Sequence, residues 1–212
     1  MQLRNSRVLV TGASRGLGKN IAQAMARHGA EVALVARNAE QLEELAKELG
    51  GKAYPADLMD PASVEALIDH VEADGPIDVI INNAGVDRVG RFYEASSDDI
   101  RDLLQVNLIA PMELCRQVMP LMIKRGRGHI VNVSSMGAIS TGPGVTLYAA
   151  SKAGLSHFTA GIRSELRDKP VNTTLVQIGE VKTDMIDNIR SFGPARRTVE
   201  RAIKWKMTSA EP

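Results

Sequence analysis

Aromatic residues make up only 3% of the 212 residues, so we expect a core built mainly from aliphatic side chains. Cysteine is almost absent too, and the single Cys115 excludes an internal disulfide and fits a reducing compartment. No apolar run reaches the roughly 20 residues that a membrane-spanning helix requires. With 44% apolar residues, the chain has enough material for the core of one soluble domain.

The chain also lacks an excess of charge, because 26 basic and 25 acidic residues give a formal net charge of +1. This balance provides no overall field that would attract nucleic acid or an anionic membrane. The amino terminus enters a strand-like run without a signal-peptide pattern. We therefore expect a cytoplasmic protein whose partner is a small molecule, with no nucleic acid and no membrane.

Hydrolytic and metal sites find no support in the sequence. There is no G-x-S-x-G nucleophile elbow. The four histidines show no metal-ligand spacing among themselves or with Cys115; they are His28, His70, His129 and His157. We expect no bound metal.

Short apolar runs alternate along the chain with longer segments of helical periodicity. The strand-like runs are RVLVTG, EVALVAR, KAYPAD, IDVIINNAG, HIVNVSS and VNTTLVQIG. This alternation predicts an α/β fold, a doubly wound parallel sheet of six strands with helices on both faces. Two long helices are expected at 98–124 and 147–167, and Asp60 before Pro61 predicts a capped helix start. No linker divides the chain, so we expect a single domain over 1–212.

The segment TGASRGLG follows the first strand and opens the first helix, which is the setting that a dinucleotide-binding turn requires. Gly12 permits a tight turn, Gly16 lets a pyrophosphate approach the backbone, and Gly18 allows close helix packing. The helix amino terminus presents unpaired N–H groups to the phosphates. The alternative is an ordinary glycine-rich connection.

At the end of the second strand, the carboxylate that would bind the ribose 2′-hydroxyl of NAD is missing. The residues there are Ala36 and Arg37, and Arg15 lies in the glycine turn. A guanidinium group suits the oxygens of a 2′-phosphate, so we expect NADP (NADPH) as the cofactor. The alternative for Arg37 is a solvated side chain at a strand end.

The segment YAASK places Tyr148 and Lys152 four residues apart, on one face of a helix. A fixed positive charge near a phenol lowers its pKa toward the range that is useful for proton transfer. The alternative is an exposed pair on a helix surface.

These motifs, together with NNAG at 82–85, Asn107 and Ser135, occur in an order and spacing that resemble the short-chain dehydrogenase/reductase family over 8–185. The resemblance implies a Rossmann-like fold and NAD(P)-dependent interconversion of a carbonyl and an alcohol. The resemblance implies that Ser135 would hold the substrate oxygen and that Tyr148 would transfer the proton. Lys152 would bind the nicotinamide ribose and lower the tyrosine pKa, and Asn107 would hold a water that links Lys152 to solvent.

Pro111 adds a local argument for that water. It lies four residues after Asn107 and has no N–H, so in a helix it leaves the carbonyl of residue 107 without its usual donor. That carbonyl is a candidate water ligand. The alternative is that Pro111 merely kinks the helix. For Ser134 we favour a structural role as a polar strand end.

The resemblance also implies a set of cofactor contacts. Asn82 and Gly85 would lie beside the adenosine and ribose, Asp57 and Leu58 at the adenine edge, and Thr183 at the carboxamide. The complete expected set is Gly12, Ser14, Arg15, Gly16, Leu17, Gly18, Arg37, Asp57, Leu58, Asn83, Ala84, Gly85, Tyr148, Lys152, Val181 and Thr183.

Family members usually form dimers or tetramers through two long helices, so we expect a homodimer or homotetramer built on 101–124 and 147–167. The sequence departs from the family at Ile178-Gly179, where Pro-Gly is usual. It also ends without a run for a seventh strand, so either that strand is missing or the fold is shortened. The segments 137–147 and 185–192 predict a mainly apolar substrate pocket.

Two other interpretations stay open. A regulatory protein that senses NADPH would keep the fold and bind the cofactor without turnover. A protein that binds nucleic acid or a membrane surface is indicated only by a basic cluster near the carboxyl terminus, which is more often a solvated helix face or attracts an anionic substrate group. The members of this cluster are Arg190, Arg196, Arg197, Arg201, Lys204 and Lys206.

Overall fold

The computed structural model describes residues 3–179, which contain a parallel sheet of six strands in the order β3-β2-β1-β4-β5-β6. The strands are β1 (Arg7–Thr11), β2 (Glu31–Ala36), β3 (Lys52–Pro55), β4 (Val79–Asn82), β5 (Gly128–Ser135) and β6 (Val171–Ile178). The sequence prediction of a six-stranded α/β fold is confirmed. The absence of a seventh strand, predicted from the sequence, concerns residues outside the described range, and the basic cluster, Val181, Thr183 and the pocket segment 185–192 also lie outside it.

Helices cover both faces of the sheet. They are α1 (Gly16–Arg27), α2 (Ala39–Leu49), α3 (Pro61–Glu72), α4 (Ser97–Leu104), α5 (Ala110–Arg125) and α6 (Thr146–Glu165). Neighbouring residues of β1 pack on opposite faces of the sheet, because side chains alternate along a strand. Val8 and Val10 pack with α1 and α2, whereas Leu9 packs with α3, α5 and α6. Strands buried on both faces explain the nearly continuous apolar runs in the sequence.

The long helix expected at 98–124 is interrupted, which corrects the sequence prediction. A π-helical segment, Gln105–Ile109, joins α4 to α5, and the N–H of Ala110 bonds to the carbonyl of Gln105, five residues back. Pro111 has no N–H to continue the regular bonding pattern, which is a physical reason for a break at this place. The interruption fits the simpler alternative, a break in the helix at Pro111, and the unbonded carbonyl proposed for residue 107 stays a prediction.

The strand order reverses between β1 and β4, so the connections after these two strands diverge at one edge of the sheet. At this edge, formed by the carboxyl ends of the strands, open α/β sheets bind their ligands. The expected site residues lie at this edge. The glycine turn follows β1, Arg37 follows β2, Asp57 and Leu58 come after β3, residues 83–85 follow β4, and Ser135 ends β5. Ile178 replaces the family proline and pairs in register with Ser135 as the last residue of β6.

Candidate active site

The turn after β1 needs glycine at three positions. Gly12 has φ +68°, and a Cβ there would lie 2.9 Å from the Cα of Ala84. A Cβ on Gly18 would overlap the carbonyl oxygen of Gly12. Gly16, with φ +55°, is exposed and opens α1. The backbone of this turn is therefore open to a phosphate at the amino terminus of α1.

Thr11 fixes this turn against the end of β4. Its Oγ1 accepts hydrogen bonds from the N–H groups of Asn83 and Ala84, both at 3.0 Å. Asn83 returns a bond from Nδ2 to the Thr11 carbonyl, also at 3.0 Å. Asn83 is therefore committed to joining two strand ends. Sequence reasoning missed Thr11, although its place directly before the glycine turn was a usable signal.

The side chain of Asn82 faces the protein interior, so of this residue only the backbone is left for the expected contact with the adenosine or ribose. It is 2% exposed, and its Nδ2 donates to Oδ1 of Asn132 at 2.8 Å. Its side chain thus points into the interior between β4 and β5. Gly85 lies close to Lys152, because a Cβ there would lie 3.6 Å from Nζ of Lys152, and its expected place beside the adenosine and ribose stays a prediction.

Arg15 and Arg37 lie at neighbouring strand ends. Thr11 pairs with Val35, so the turn that carries Arg15 runs beside the end of β2, and Arg37 follows that strand directly. Both arginines are exposed, and the other turn residues, Ser14 and Leu17, are partly buried.

Asp57 and Leu58 follow β3 at the same edge of the sheet. The Oδ1 of Asp57 accepts a hydrogen bond from the N–H of Met59 at 3.0 Å. Leu58 is 7% exposed and its side chain packs in the core. A bound adenine would therefore meet the backbone of Leu58 rather than its side chain.

Ser135 and Tyr148 come together across the start of α6. The Oγ of Ser135 accepts from the N–H of Gly137 at 3.0 Å. A Cβ on Gly137 would lie 3.3 Å from that Oγ and 3.7 Å from Cε1 of Tyr148. The two side chains thus border one small volume, into which residue 137 sends no side chain.

Lys152 lies beneath this volume and is 4% exposed. Its Nζ donates to the carbonyl of Val133 at 2.9 Å and stands 6.0 Å from the centroid of the Tyr148 ring. Burial lowers the pKa of Lys152 to about 8, because the charged form loses hydration. The alternative of an exposed tyrosine and lysine pair is therefore wrong for the lysine.

The pKa of Tyr148 moves in the direction opposite to our expectation. Burial raises it most, a hydrogen bond with Ser135 opposes that shift, and the negative charge of Asp87 adds to it. Lys152 is not among these causes. Tyr148 is therefore a neutral phenol at pH 7, which is the form that donates a proton.

Asn107 lies in the π-helical segment and is fully buried. Its Oδ1 accepts from the N–H of Val86 at 2.8 Å, and its Nδ2 donates to the Val86 carbonyl at 2.9 Å and to Oγ of Ser151 at 3.1 Å. The amide thus clamps the segment after β4 to α6. The water expected beside the Asn107 carbonyl stays a prediction.

Ser134 supports α6 from below. Its Oγ donates to the carbonyl of Lys152 at 3.0 Å and contacts Oγ of Ser156 at 2.8 Å. The structural role expected for Ser134 fits these contacts, since it holds the helix turn that carries the lysine.

Within residues 3–179, no three histidine, cysteine, aspartate or glutamate side chains gather as a group able to hold a metal ion. In the same part of the chain, no helix is long and apolar enough to cross a membrane.

Comparison with known proteins now assigns the family. The profile of the short chain dehydrogenase family matches residues 6–193. Nodulation protein G of Rhizobium sp. strain N33 is 37% identical over 191 residues, which cover 89% of this chain and 78% of that protein. The ketoacyl reductase HetN of Nostoc sp. strain PCC 7120 is 40% identical over 199 residues, covering 91% and 69%.

A solved metagenomic short-chain oxidoreductase in complex with NADP is 35% identical, with a TM-score of 0.80, and the match covers 89% of this chain and 90% of that one. The chain therefore belongs to the short-chain dehydrogenase/reductase family of oxidoreductases. This family acts on small-molecule substrates with a nicotinamide cofactor.

Proposed function

We propose that this protein is an NADP-dependent oxidoreductase that interconverts a carbonyl and an alcohol on a small, mainly apolar substrate, with Tyr148 as the acid and base. The observation that carries the proposal is the shared volume between Ser135 and Tyr148, bounded by Gly137. A hydroxyl donor and a neutral phenol beside one opening are what a carbonyl oxygen needs when it becomes an alcohol.

The residues around the turn after β1 fit a dinucleotide. Gly12 and Gly18 leave no room for a side chain, and Gly16 exposes the backbone at the start of α1. The N–H groups of α1 would hold the pyrophosphate. Lys152 and Gly85 would lie by the nicotinamide ribose. When bound, the cofactor supplies the hydride that reduces the substrate carbon.

Tyr148 would give its phenolic proton to the substrate oxygen during reduction and take it back during oxidation. Ser135 would hold that oxygen in place with its hydroxyl group. Lys152, with its pKa near 8, is poised to resupply the proton near neutral pH. Asn107 would act indirectly, by holding the backbone of Val86 and the start of α6 in fixed positions.

The preference for NADP is supported by the two exposed guanidinium groups at neighbouring strand ends and by the absence of a carboxylate at Ala36. Arg15 and Arg37 would bind the 2′-phosphate. The metagenomic relative binds NADP, in agreement with this assignment.

Replacing Tyr148 by phenylalanine tests the mechanism. Tyr148→Phe removes the transferable proton and keeps the ring, so turnover of a ketone with NADPH should fall at least about 100-fold while NADPH affinity stays constant. Tyr93→Phe is the matched control, because Tyr93 is 76% exposed. Comparable turnover in the Tyr148 variant would refute the mechanism.

A protein that senses NADPH without turnover is the second candidate, and the family comparison does not favour it. NADPH binding without oxidation across a panel of ketones and aldehydes would favour it over the enzyme. The same panel identifies the substrate class.

We further propose a cytoplasmic, single-domain homo-oligomer that pairs through the helices at 101–124 and 147–167. Ile109 and Met112, at 49% and 40% exposure, put apolar surface where α5 begins. Light scattering of the purified protein should give a mass at least twice the 22.9 kDa of one chain.

A further inference from the structure

Asp57 lies on the segment that leaves β3, at the edge of the sheet where a dinucleotide would bind, and it is partly exposed. Its Oδ1 accepts from the N–H of Met59 at 3.0 Å, and its main-chain carbonyl accepts from the N–H of Asp60 at 3.1 Å. Within residues 3–179, the other carboxylate oxygen, Oδ2, has no hydrogen-bond partner. One oxygen of the carboxylate is therefore fixed by the backbone, and the other is open to a ligand.

The peptide unit that holds Asp57 is itself held by a distant side chain. The carbonyl of Leu58 and the N–H of Met59 belong to one planar unit, so they point in opposite directions and move together. The Leu58 carbonyl accepts from Nε2 of Gln105 at 3.3 Å, although the two residues are 47 positions apart. Gln105 therefore fixes one end of the peptide unit whose other end fixes Asp57.

Gln105 reaches Leu58 from the π-helical segment between α4 and α5. The same segment carries Asn107, whose side chain bonds to Val86 and Ser151. One short segment thus holds the connections that follow β3 and β4 and also contacts α6. In the proposed dinucleotide site, the connection after β3 would meet the adenine end of the cofactor.

We propose that Gln105 is a positioning residue for the adenine base, because it holds the peptide unit that directs the open oxygen of Asp57. A carboxylate only accepts hydrogen bonds, and the amino group of adenine donates them. This pairing favours adenine over a base that has a carbonyl oxygen in place of the amino group. The inference rests on the proposed function only in requiring a dinucleotide at this edge of the sheet.

Binding of NADPH and of reduced nicotinamide hypoxanthine dinucleotide phosphate tests the assignment. Hypoxanthine has a carbonyl oxygen where adenine has its amino group, so it offers the carboxylate no donor at that place. Gln105→Met removes the Nε2 donor and nearly keeps the size of the side chain. The preference for NADPH over the analogue should therefore fall about fivefold. Dissociation constants from fluorescence titration at one salt concentration give this preference.

Gln117→Met is the matched control. The Nε2 of Gln117 also donates to a main-chain carbonyl at 3.3 Å, that of Val64, and to Oε1 of Glu113. These bonds join α5 to α3 and hold none of the expected cofactor contacts. Gln117→Met should lower stability, as Gln105→Met does, but keep the wild-type preference between the two cofactors. A general loss of stability weakens both cofactors alike and leaves their ratio unchanged.

The proposal is overturned by an unchanged preference in Gln105→Met, by an equal fall in the control, or by a wild-type protein that binds neither cofactor. Gln105→Glu has the same size and turns an acceptor toward the Leu58 carbonyl, so the preference should fall further. This variant decides by the same criterion if Gln105→Met does not fold. Failure of the proposed enzymatic function has a different result, in which no ketone is reduced although the cofactor preference still depends on Gln105.

Discussion

The turn after β1 and the pocket around Tyr148 are built in different ways. The turn depends on the absence of side chains, since Gly12 and Gly18 fill their space with backbone alone. The pocket depends on buried polar side chains, among which Asn107 and Lys152 bond to backbone atoms distant in sequence. The turn should therefore be destabilised by any added side-chain atom, and the pocket should be destabilised by the loss of any hydrogen-bonding side chain.

The largest effect is expected from removing a partner in the pocket. Asn107→Ala leaves the partly buried N–H and carbonyl of Val86 and the buried hydroxyl of Ser151 without these bonds, so the free energy of unfolding should fall by about 4 kcal/mol. Urea unfolding measures it. Asn172→Ala, on an exposed position of β6, is the control and should change it by less than about 0.5 kcal/mol. A loss below about 1 kcal/mol for Asn107→Ala would mean that water replaces the amide.

An added atom in the turn should cost nearly as much. Gly18→Ala places a methyl group against the carbonyl of Gly12, so unfolding free energy should fall by about 3 kcal/mol and NADPH affinity should fall with it. Gly161→Ala is the control, because nothing lies within 4 Å of a Cβ at that exposed helix position. It should stabilise the protein by about 0.5–1 kcal/mol. Equal effects of Gly18→Ala and Gly161→Ala would contradict the view that the turn has no room for an added atom.

The third prediction uses the buried charge of the pocket. In the folded protein the pKa of Lys152 is about 8, against 10.5 for an ordinary lysine. When the pH lies between these two pKa values, the unfolded chain binds more protons than the folded protein. The free energy of unfolding should therefore rise with pH by up to about 3 kcal/mol over this range, and this gain should be lost as the pH falls again through 8. Lys152→Met should remove this rise.

Stability curves of wild type and variant between pH 7 and about 10.5 provide the comparison. Burial raises the pKa of Tyr54 to about 12, which opposes the rise above pH 10. That opposing effect is present in both proteins and cancels in the difference. Lys47→Met, at an exposed position of α2, should retain the wild-type slope. A slope retained in Lys152→Met would show that the lysine is hydrated.

The smallest effect is expected at the rim of the turn. Arg37→Ala should lower the preference for NADPH over NADH by about tenfold, because one charge-assisted phosphate contact is lost. Dissociation constants for both cofactors at one salt concentration measure this preference. Arg27→Ala removes the same charge from the far end of α1 and should leave the ratio unchanged. An unchanged ratio for Arg37→Ala would contradict our interpretation of this strand end.

Features that depend on nearby residues were predictable from the sequence. The cap of α3 is confirmed, because Asp60 accepts from the N–H groups of Ala62 and Ser63. The positive φ angles of Gly12 and Gly16 follow from the same local reasoning. The break near Asn107 was anticipated only as an alternative, a kink at Pro111.

Features that depend on distant partners were not predictable. Asn82 points inward because Asn132, 50 residues away, offers an acceptor. Thr11 bonds to residues 72 and 73 positions away; its place before the glycine turn marks it as a site residue, but no local pattern identifies these partners. The pKa of Tyr148 was misjudged for the same reason, since its burial is a tertiary property.

The bridge from Thr11 to Asn83 and Ala84 also has a consequence for folding. The residues between these positions form β2, β3, β4 and three helices, so the bridge closes a loop of more than 70 residues and should form late in folding. The glycine turn has its final shape only after β4 has docked on β1. NADPH should therefore bind fully assembled molecules alone, and its binding free energy adds to their stability over partly folded forms.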